Sequence, residues 1–312
     1  MEQVKKLNLR RYQSIIGLII FSIVIALMND RFLTFSNIMN ILRQTSINSI
    51  IAAGMTFVIL TGGIDLSVGS TLAYSGAIAA TLIGSGLHPV VAVLAALAIG
   101  AGIGMLNGVI IAKGKLQPFI VTLATMTIFR GATLVFTDGK PISTGYEANA
   151  DLYSQIGNGY IGAIPIPIII MVFVFAIGYY VLTQTSIGRY VYALGGNEDA
   201  TKLSGVSTSK VKIFAYGISG FFAALAGIII TARLSSAQPT AGQGYELDAI
   251  AAVVLGGTSL AGGLGSIMGT VTGALIIGIL NNALNLMNVS SYYQLLVKGL
   301  VILVAVLIDR KE

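Results

Sequence analysis

The chain has 312 residues, of which 55% are hydrophobic and only 10% are charged, and its mean hydropathy is +0.88. Soluble domains carry about 25% charged residues, so this composition excludes a soluble globular protein and indicates a polytopic membrane protein. The net charge is +6. Because the basic residues fall in short segments between apolar runs, the charge indicates membrane orientation, and we exclude nucleic acid as a partner.

Cysteine is absent and His88 is the only histidine. The chain therefore offers no disulfide, no thiol nucleophile, no thiolate metal site and no histidine cluster for a metal. We predict neither a metal nor a cofactor bound to this chain.

The apolar run from Tyr12 to Met28 follows four basic residues, an order that signal peptides share. The run is longer than the usual signal core of about 7 to 15 residues, and no small-x-small cleavage motif follows it. We therefore interpret it as the first transmembrane helix.

Ten apolar segments follow one another along the chain when about 20 residues are allowed per transmembrane helix. The sequence thus predicts an all-α polytopic membrane protein, with residues 1–312 forming one transmembrane domain. The predicted segments are Tyr12–Met28, Ser46–Gly62, Ser67–Gly86, Pro89–Ala112, Pro118–Thr137, Ile161–Thr183, Ile213–Arg233, Leu247–Leu255, Leu260–Asn282 and Tyr292–Ile308. The eighth is too short to span alone, and a broken helix is tolerated only where its free backbone groups face protein or a polar cavity.

Basic residues support this count, because they concentrate on one side of the membrane once the amino terminus is placed in the cytoplasm. Only Arg31 and Lys140 are clearly outside. Both termini are then cytoplasmic, residues 184–212 form a cytoplasmic loop and residues 138–160 an extracytoplasmic loop. The cytoplasmic basic residues are Lys5, Lys6, Arg10, Arg11, Lys113, Lys115, Arg189, Lys202, Lys210, Lys212, Arg310 and Lys311.

A weak internal similarity links GMLNG at Gly104–Gly108 to GILNN at Gly278–Asn282. These segments lie in the fourth and ninth predicted helices, and an offset of five helices reverses direction. The similarity is typical of an inverted-topology repeat, which many transporters contain.

The polar, basic stretch from Gly188 to Lys212 separates two membrane-length apolar runs. Within it, Asn197 can cap a short helix, Glu198 and Asp199 fit the positive end of its dipole, and Gly205 can end it in a left-handed conformation. We predict a short cytoplasmic helix that serves as a docking element for a partner.

Acidic and amide side chains near membrane depth are the remaining candidates for function, because charge and polarity are costly in lipid. Asp65 can alternatively cap a helix. Glu246 and Asp248 are two positions apart and would not share a helical face, which disfavours a catalytic pair. Asn107 and Asn281 suit either bonds between helices or a neutral polyhydroxyl solute. The sequence contains no set of residues that resembles a catalytic site, and it contains no G-x-x-x-x-G-K-[ST] loop that could bind ATP.

Five segments together resemble the membrane permease of bacterial ribose-type ABC importers, over essentially the whole chain. The resemblance is specific for permeases of sugar importers and less specific for ribose. The segments are ILTGGIDLSVGS, LATMTIFRG, YALGGNEDATKLSG, RLSSAQPTAG and GYELDAIAAVVLGGTSLAGG.

This resemblance implies a transport subunit of the bacterial plasma membrane that forms a pathway for D-ribose and works by alternating access in the lipid bilayer. It implies a homodimer, a separate cytoplasmic ATPase that binds ATP and Mg, and an extracytoplasmic sugar-binding protein. A permease for galactose or xylose and an ion-coupled secondary transporter are the alternatives. The expected ATPase-coupling residues are Arg189, Asn197, Glu198, Asp199, Lys202 and Gly205. The expected residues of the pathway or gate are Asp65, Asn107, Glu246, Asp248 and Asn281.

Overall fold

The computed structural model describes the backbone of residues 2–309 and the side chains of residues 15–303 and 307. The basic side chains that precede Tyr12, and Arg310 and Lys311, lie outside the described residues. The described part of the chain forms thirteen α-helices and two pairs of two-residue strands. The helices are α1 (Glu2–Met28), α2 (Phe35–Leu60), α3 (Val68–Gly84), α4 (Pro89–Gly114), α5 (Pro118–Thr137), α6 (Ala148–Asn158), α7 (Ile166–Gln184), α8 (Ser186–Gly196), α9 (Glu198–Leu203), α10 (Thr208–Leu234), α11 (Tyr245–Leu255), α12 (Ile267–Leu286) and α13 (Ser291–Asp309).

The strands pair antiparallel in two short ribbons. They are β1 (Ile142–Ser143) with β4 (Ser236–Ala237), and β2 (Tyr160–Ile161) with β3 (Ile164–Pro165). Neither ribbon is large enough to change the all-α class.

Five helices, α4, α5, α7, α10 and α12, are long and apolar enough to cross a membrane among the residues described. This agrees with a polytopic membrane protein. The prediction that the eighth segment is too short to span is confirmed, because α11 has only 11 residues.

Several predicted boundaries are wrong, two of them by enough to matter. Helix α2 begins at Phe35 and not at Ser46, because Thr34 caps a first part whose polar residues resemble a loop in the sequence. Helix α12 begins at Ile267 and not at Leu260, because Gly262 and Gly263 take positive φ angles of 88° and 73°. Residues 138–160, predicted as a loop between two membrane segments, contain the short helix α6.

The helix connections gather at two ends of the bundle. The α6 end contains connections 85–88, 138–165 and 235–244, where Asn149 Nδ2 donates to the carbonyl of Gly86 at 2.8 Å. The α9 end contains connections 61–67, 185–207 and 256–266, where Gly263 N donates to the carbonyl of Leu60 at 2.9 Å. Functional residues can therefore be assigned to one end of the bundle or to the other.

Helix α10 is the centre of the bundle and packs on α2, α3, α4, α6 and α8. Its contact with α4 is a contact of backbones. A Cβ atom added at Gly104 would overlap the carbonyl oxygen of Tyr216, and one added at Gly220 would overlap that of Gly100. Small residues at such positions let helices approach closely in lipid. We call Gly100, Gly104 and Gly220 the α4–α10 glycine contact.

A buried polar network ties the connection between α2 and α3 to the rest of the bundle. Asp65 is 1% exposed, and its carboxylate accepts from Ser67 N at 3.0 Å, from Ser67 Oγ at 2.6 Å and from Ser219 Oγ at 2.7 Å. Asn107 Nδ2 donates to Ser67 Oγ at 2.9 Å, and Thr125 Oγ1 donates to Asn107 Oδ1 at 2.7 Å. The network therefore joins α4, α5 and α10, and we call it the Asp65 network.

The interpretation of Asp65 as a helix cap is wrong. Ser67 is the residue that precedes α3, and it makes no side-chain cap hydrogen bond. Asp65 lies two positions earlier, where its carboxylate binds Ser67 and helix α10 instead.

Replacing Gly104 by alanine is expected to destabilise the protein by about 1–3 kcal/mol, because the new methyl group overfills a backbone contact. Gly102 is the matched control on the same helix, since an added Cβ there meets nothing within 4 Å. Thermal unfolding in detergent should show a lower transition temperature for Gly104→Ala and no loss for Gly102→Ala. Equal transition temperatures would contradict the importance of this contact.

Replacing Asp65 by leucine is expected to lower stability strongly, because each buried donor left without an acceptor costs about 1–3 kcal/mol. Asp65→Asn should be much milder, since the amide oxygen can accept from Ser67 while its nitrogen donates to Ser219 Oγ. The transition temperatures of the two variants measure the difference. An Asn variant as unstable as the Leu variant would show that the negative charge itself is required.

Candidate functional site

A cavity of about 440 Å³ lies between α2, α10, α11, α12 and α13. Its volume falls in the range of about 300–1,000 Å³ that is usual for small-molecule sites. It is close to the α6 end, because the last residues of α10 and the first of α11 line it. The polar lining residues are Gln44, Thr45, Asn48, Arg233, Tyr245, Asp248, Asn281, Asn285, Gln294 and Lys298.

An ion pair between α11 and α13 stands in the wall of this cavity. Lys298 Nζ lies 2.9 Å from Asp248 Oδ2, and Asn48 Nδ2 donates to the same oxygen at 3.1 Å. Asp248 is 4% exposed and lies in the first turn of α11, where the helix dipole favours an acid. The buried carboxylate is thus compensated by a cation, an amide and the dipole.

Glu246 points to a different region. Its Oε1 accepts from Gly244 N at 3.2 Å, and its Oε2 lies where a Cβ of Gly69 on α3 would be. The neighbouring Arg130 donates to the carbonyls of Pro239 and Ala241 at 2.7 and 2.9 Å. The expectation that Glu246 and Asp248 do not share a helical face is confirmed.

Three polar atoms of cavity-lining residues have no hydrogen-bond partner within the described structure. They are Thr45 Oγ1, Asn48 Oδ1 and Asn281 Oδ1. Buried polar groups in folded proteins are nearly always paired, so unpaired ones call for an explanation. All three are acceptor oxygens with almost no accessible surface, so binding a molecule from the cavity requires a local opening of the wall around them.

The five residues predicted for a pathway or gate lie in three places. Asp248 and Asn281 line the cavity, whereas Asp65, Asn107 and Glu246 do not. Asp65 and Asn107 belong instead to the Asp65 network.

Sequence reasoning missed Thr45 and Asn48, and it did not pair Lys298 with Asp248. The two charged residues are 50 positions apart. No local spacing in the sequence indicates such a pair.

The α9 end carries the predicted coupling residues on α8, on α9 and in the turn after α9. The side chain of Asn197 caps α9 by accepting from Ala200 N at 2.8 Å, and Gly205 takes a φ of 83° after α9 ends. Both local predictions are confirmed. Glu198 pairs with Lys212 of α10 at 2.7 Å, which fixes α9 on the bundle. The predicted coupling residues are all exposed: Arg189, Asn197, Glu198, Asp199, Lys202 and Gly205.

Leu203 is the feature of this surface that the sequence analysis missed. Its side chain is 88% exposed at the end of α9, beside the exposed Asp199 and Lys202. A single exposed leucine is common on a protein surface, but this one lies among the predicted coupling residues, where a partner protein is expected. The sequence shows a leucine there but not that it points outward.

The surface of α8 and α9 that carries the predicted coupling residues, here called the coupling surface, also contacts the segment between α11 and α12. Tyr192 of α8 donates to the carbonyl of Gly265 at 3.1 Å. Gly195 of α8 lies in contact with Leu60 and Gly263. The segment that links two cavity-lining helices therefore packs directly on α8.

Residues 37–306 match the family described as "Branched-chain amino acid transport system / permease component". The chain is 61% identical over 297 residues to the ribose import permease protein RbsC of Haemophilus influenzae, covering 95% of this chain and 92% of the relative. It is 57% identical over 304 residues to RbsC of Escherichia coli K12, covering 97% and 95%.

A third relative is the D-allose transport system permease protein AlsC of Escherichia coli K12, which is 42% identical over 293 residues, with coverage of 94% and 89%. No solved structure matches the chain. With its apolar helices and a family match over most of its length, the chain belongs to this family of membrane permeases and is a multi-pass transport protein of the bacterial plasma membrane, not an enzyme.

Proposed function

We propose that this chain is the membrane-spanning permease subunit of an ATP-driven importer for D-ribose. The observation that carries the proposal is the difference in identity between relatives: 61% to a ribose permease against 42% to a D-allose permease. The cavity agrees with a sugar as cargo, since amide groups from three helices line it.

We propose about ten membrane spans with both termini in the cytoplasm, so that the α9 end is cytoplasmic and the α6 end extracytoplasmic. The support is the positive-inside rule. Lys113, Lys115, Lys202 and Lys210 are at or near the α9 end. The inverted repeat that relates α4 to α12 is part of the same proposal. Labelling of introduced cysteines from either side of the membrane would test the orientation.

The proposed pathway passes through the cavity, which is on the side that receives sugar in this orientation. Asp248 and Asn281 would belong to its wall. We propose that the Asp65 network, including Asn107, belongs to the gate at the α9 end, and that Glu246 holds the segment before α11 in place. Weak sugar binding is expected in such a pathway, because tight binding would slow release.

The proposed partners follow from the two ends of the bundle. A separate ATPase, which would bind ATP and Mg, is expected on α9, and an extracytoplasmic sugar-binding protein on the α6 end, where the side chain of Tyr146 is 97% exposed. A second copy of this chain would complete a homodimer. Helix α13 supports this, because it borders the cavity and packs mainly on α11, which leaves its other face for a partner. Light scattering of the purified complex should give two copies.

Uptake of radiolabelled ribose into proteoliposomes tests the function. The liposomes would contain this chain, its ATPase and a ribose-binding protein, with each component and ATP omitted in turn. We expect uptake only with all components present. Uptake of D-allose, xylose or galactose in place of ribose would keep the class of transporter and change the substrate. Ribose uptake by this chain alone would contradict the ATP-driven mechanism.

Replacing Leu203 by glutamate is expected to weaken binding of the ATPase at least fivefold, because an apolar contact contributes about 1–3 kcal/mol to an interface. Co-purification and sugar-stimulated ATP hydrolysis would both fall. Leu152→Glu on α6 is the control for co-purification with the ATPase, since its side chain is also exposed but lies at the other end of the bundle. Both variants should unfold at the wild-type temperature. Unchanged ATPase binding by Leu203→Glu would exclude this residue from the contact.

A further inference from the structure

The orientation of the Asn48 amide is determined by its neighbours. Its nitrogen donates to Asp248 Oδ2 at 3.1 Å, and that oxygen also accepts from Lys298 Nζ at 2.9 Å. With the nitrogen held by a carboxylate, the amide oxygen must point elsewhere. That oxygen is buried and has no partner within the described residues.

Two more acceptors belong to the same cavity wall. Thr45, one turn before Asn48 on α2, is 4% exposed and its Oγ1 is unpaired. Asn281 of α12 also has an unpaired Oδ1. An added Cβ at the neighbouring Gly278 would overlap Thr45 Oγ1, so α2 and α12 are in contact here. The acceptors therefore come from two helices that border one space.

We propose that Thr45, Asn48 and Asn281 form a transient sugar subsite that accepts hydrogen bonds from hydroxyl groups, and that the Lys298–Asp248 pair positions the Asn48 amide. This inference rests on the proposed function, because it assigns the recognition of cargo to particular side chains. A neutral polyhydroxyl molecule matches the site, since each of its hydroxyl groups supplies a donor.

Lys298 affects the orientation of the Asn48 amide although it does not contact that amide directly. If Lys298 lost its ammonium group, the Asp248 carboxylate would be a buried charge with only the Asn48 amide as a side-chain partner. An uncompensated buried charge is costly, so the side chains around Asp248 would rearrange. The Asn48 amide would then lose its fixed direction. Arginine in place of lysine would retain the cation and should retain the orientation.

The absence of cysteine from the chain makes a direct test of access possible. Asn48→Cys and Asn281→Cys would each be introduced into the full complex and treated with a small charged methanethiosulfonate. We expect both to react, and excess ribose to slow the reaction at least threefold, whereas glycine betaine, which has no hydroxyl group, should not.

Ser75→Cys is the control for the labelling. Ser75 Oγ is also buried and unpaired, but it lies between α3 and α4, outside the cavity. It should stay unreactive. A subsite is excluded if neither cavity cysteine reacts, or if ribose leaves both rates unchanged.

Transport selectivity tests the recognition itself. The ratio of ribose uptake to 2-deoxyribose uptake should fall about threefold to tenfold in Asn48→Leu, because one hydrogen bond to a hydroxyl group is worth about that factor. Lys298→Met should lower the same ratio and Lys298→Arg should restore it. A merely structural role would change the amount of folded protein without changing this ratio.

Asn149→Leu is the matched variant for this measurement, because it is the same exchange and the Asn149 side chain on α6 binds the carbonyl of Gly86, outside the cavity. It should keep the wild-type ratio. Wild-type selectivity in Asn48→Leu would overturn the subsite and leave the importer intact. Loss of ATP-dependent ribose uptake by the wild-type complex would instead contradict the proposed function, so the two failures are distinguishable.

Discussion

Contact between helix backbones at glycines is the constraint on which this structure depends. Lipid removes the hydrophobic driving force between helices, so their association relies on close packing. The α4–α10 glycine contact places α10 in the middle of the bundle. A second contact, where a Cβ at Gly273 would overlap the carbonyl of Ala252, joins α12 to the short α11. Because α11 is held in this way, its first turn stays beside α2 and α13, and the cavity forms at that place.

Two buried carboxylates, Asp65 and Asp248, show two ways of keeping an acid inside the protein. A buried charge is costly unless it is paired or fully hydrogen-bonded. Asp65 is satisfied by hydroxyl and backbone groups in a closed network. Asp248 is satisfied by Lys298 and Asn48, and its surroundings open onto the cavity. The hydrogen bonds of Asp65 stabilise a junction of helices. The hydrogen bonds of Asp248 lie in a cavity wall, where a bound molecule would be next to them.

Local patterns predicted much of this architecture. Hydropathy located the apolar segments, and the shortness of the eighth segment predicted the short helix α11. The residue types at Asn197 and Gly205 predicted the start and the end of α9. The functional geometry depends on distant residues instead. Asp248 meets Lys298 across 50 positions, and Asn107 points into the Asp65 network because of how α4 packs on α10. The exposure of Leu203 also depends on the fold around it. Neither periodicity nor spacing contains this information.

The contacts described connect the coupling surface to the cavity by a short route. Helix α8 holds the connection between α11 and α12 through Tyr192 and Gly195. Helix α11 in turn carries Asp248, whose partner Lys298 is on α13. The contacts thus run without a break from α8, through the segment after α11, to the ion pair that orients Asn48. A physical account of coupling needs an element that both sites can bias. Helix α11 lies where such an element would have to be, because one of its ends adjoins the segment packed on α8 and the other borders the cavity.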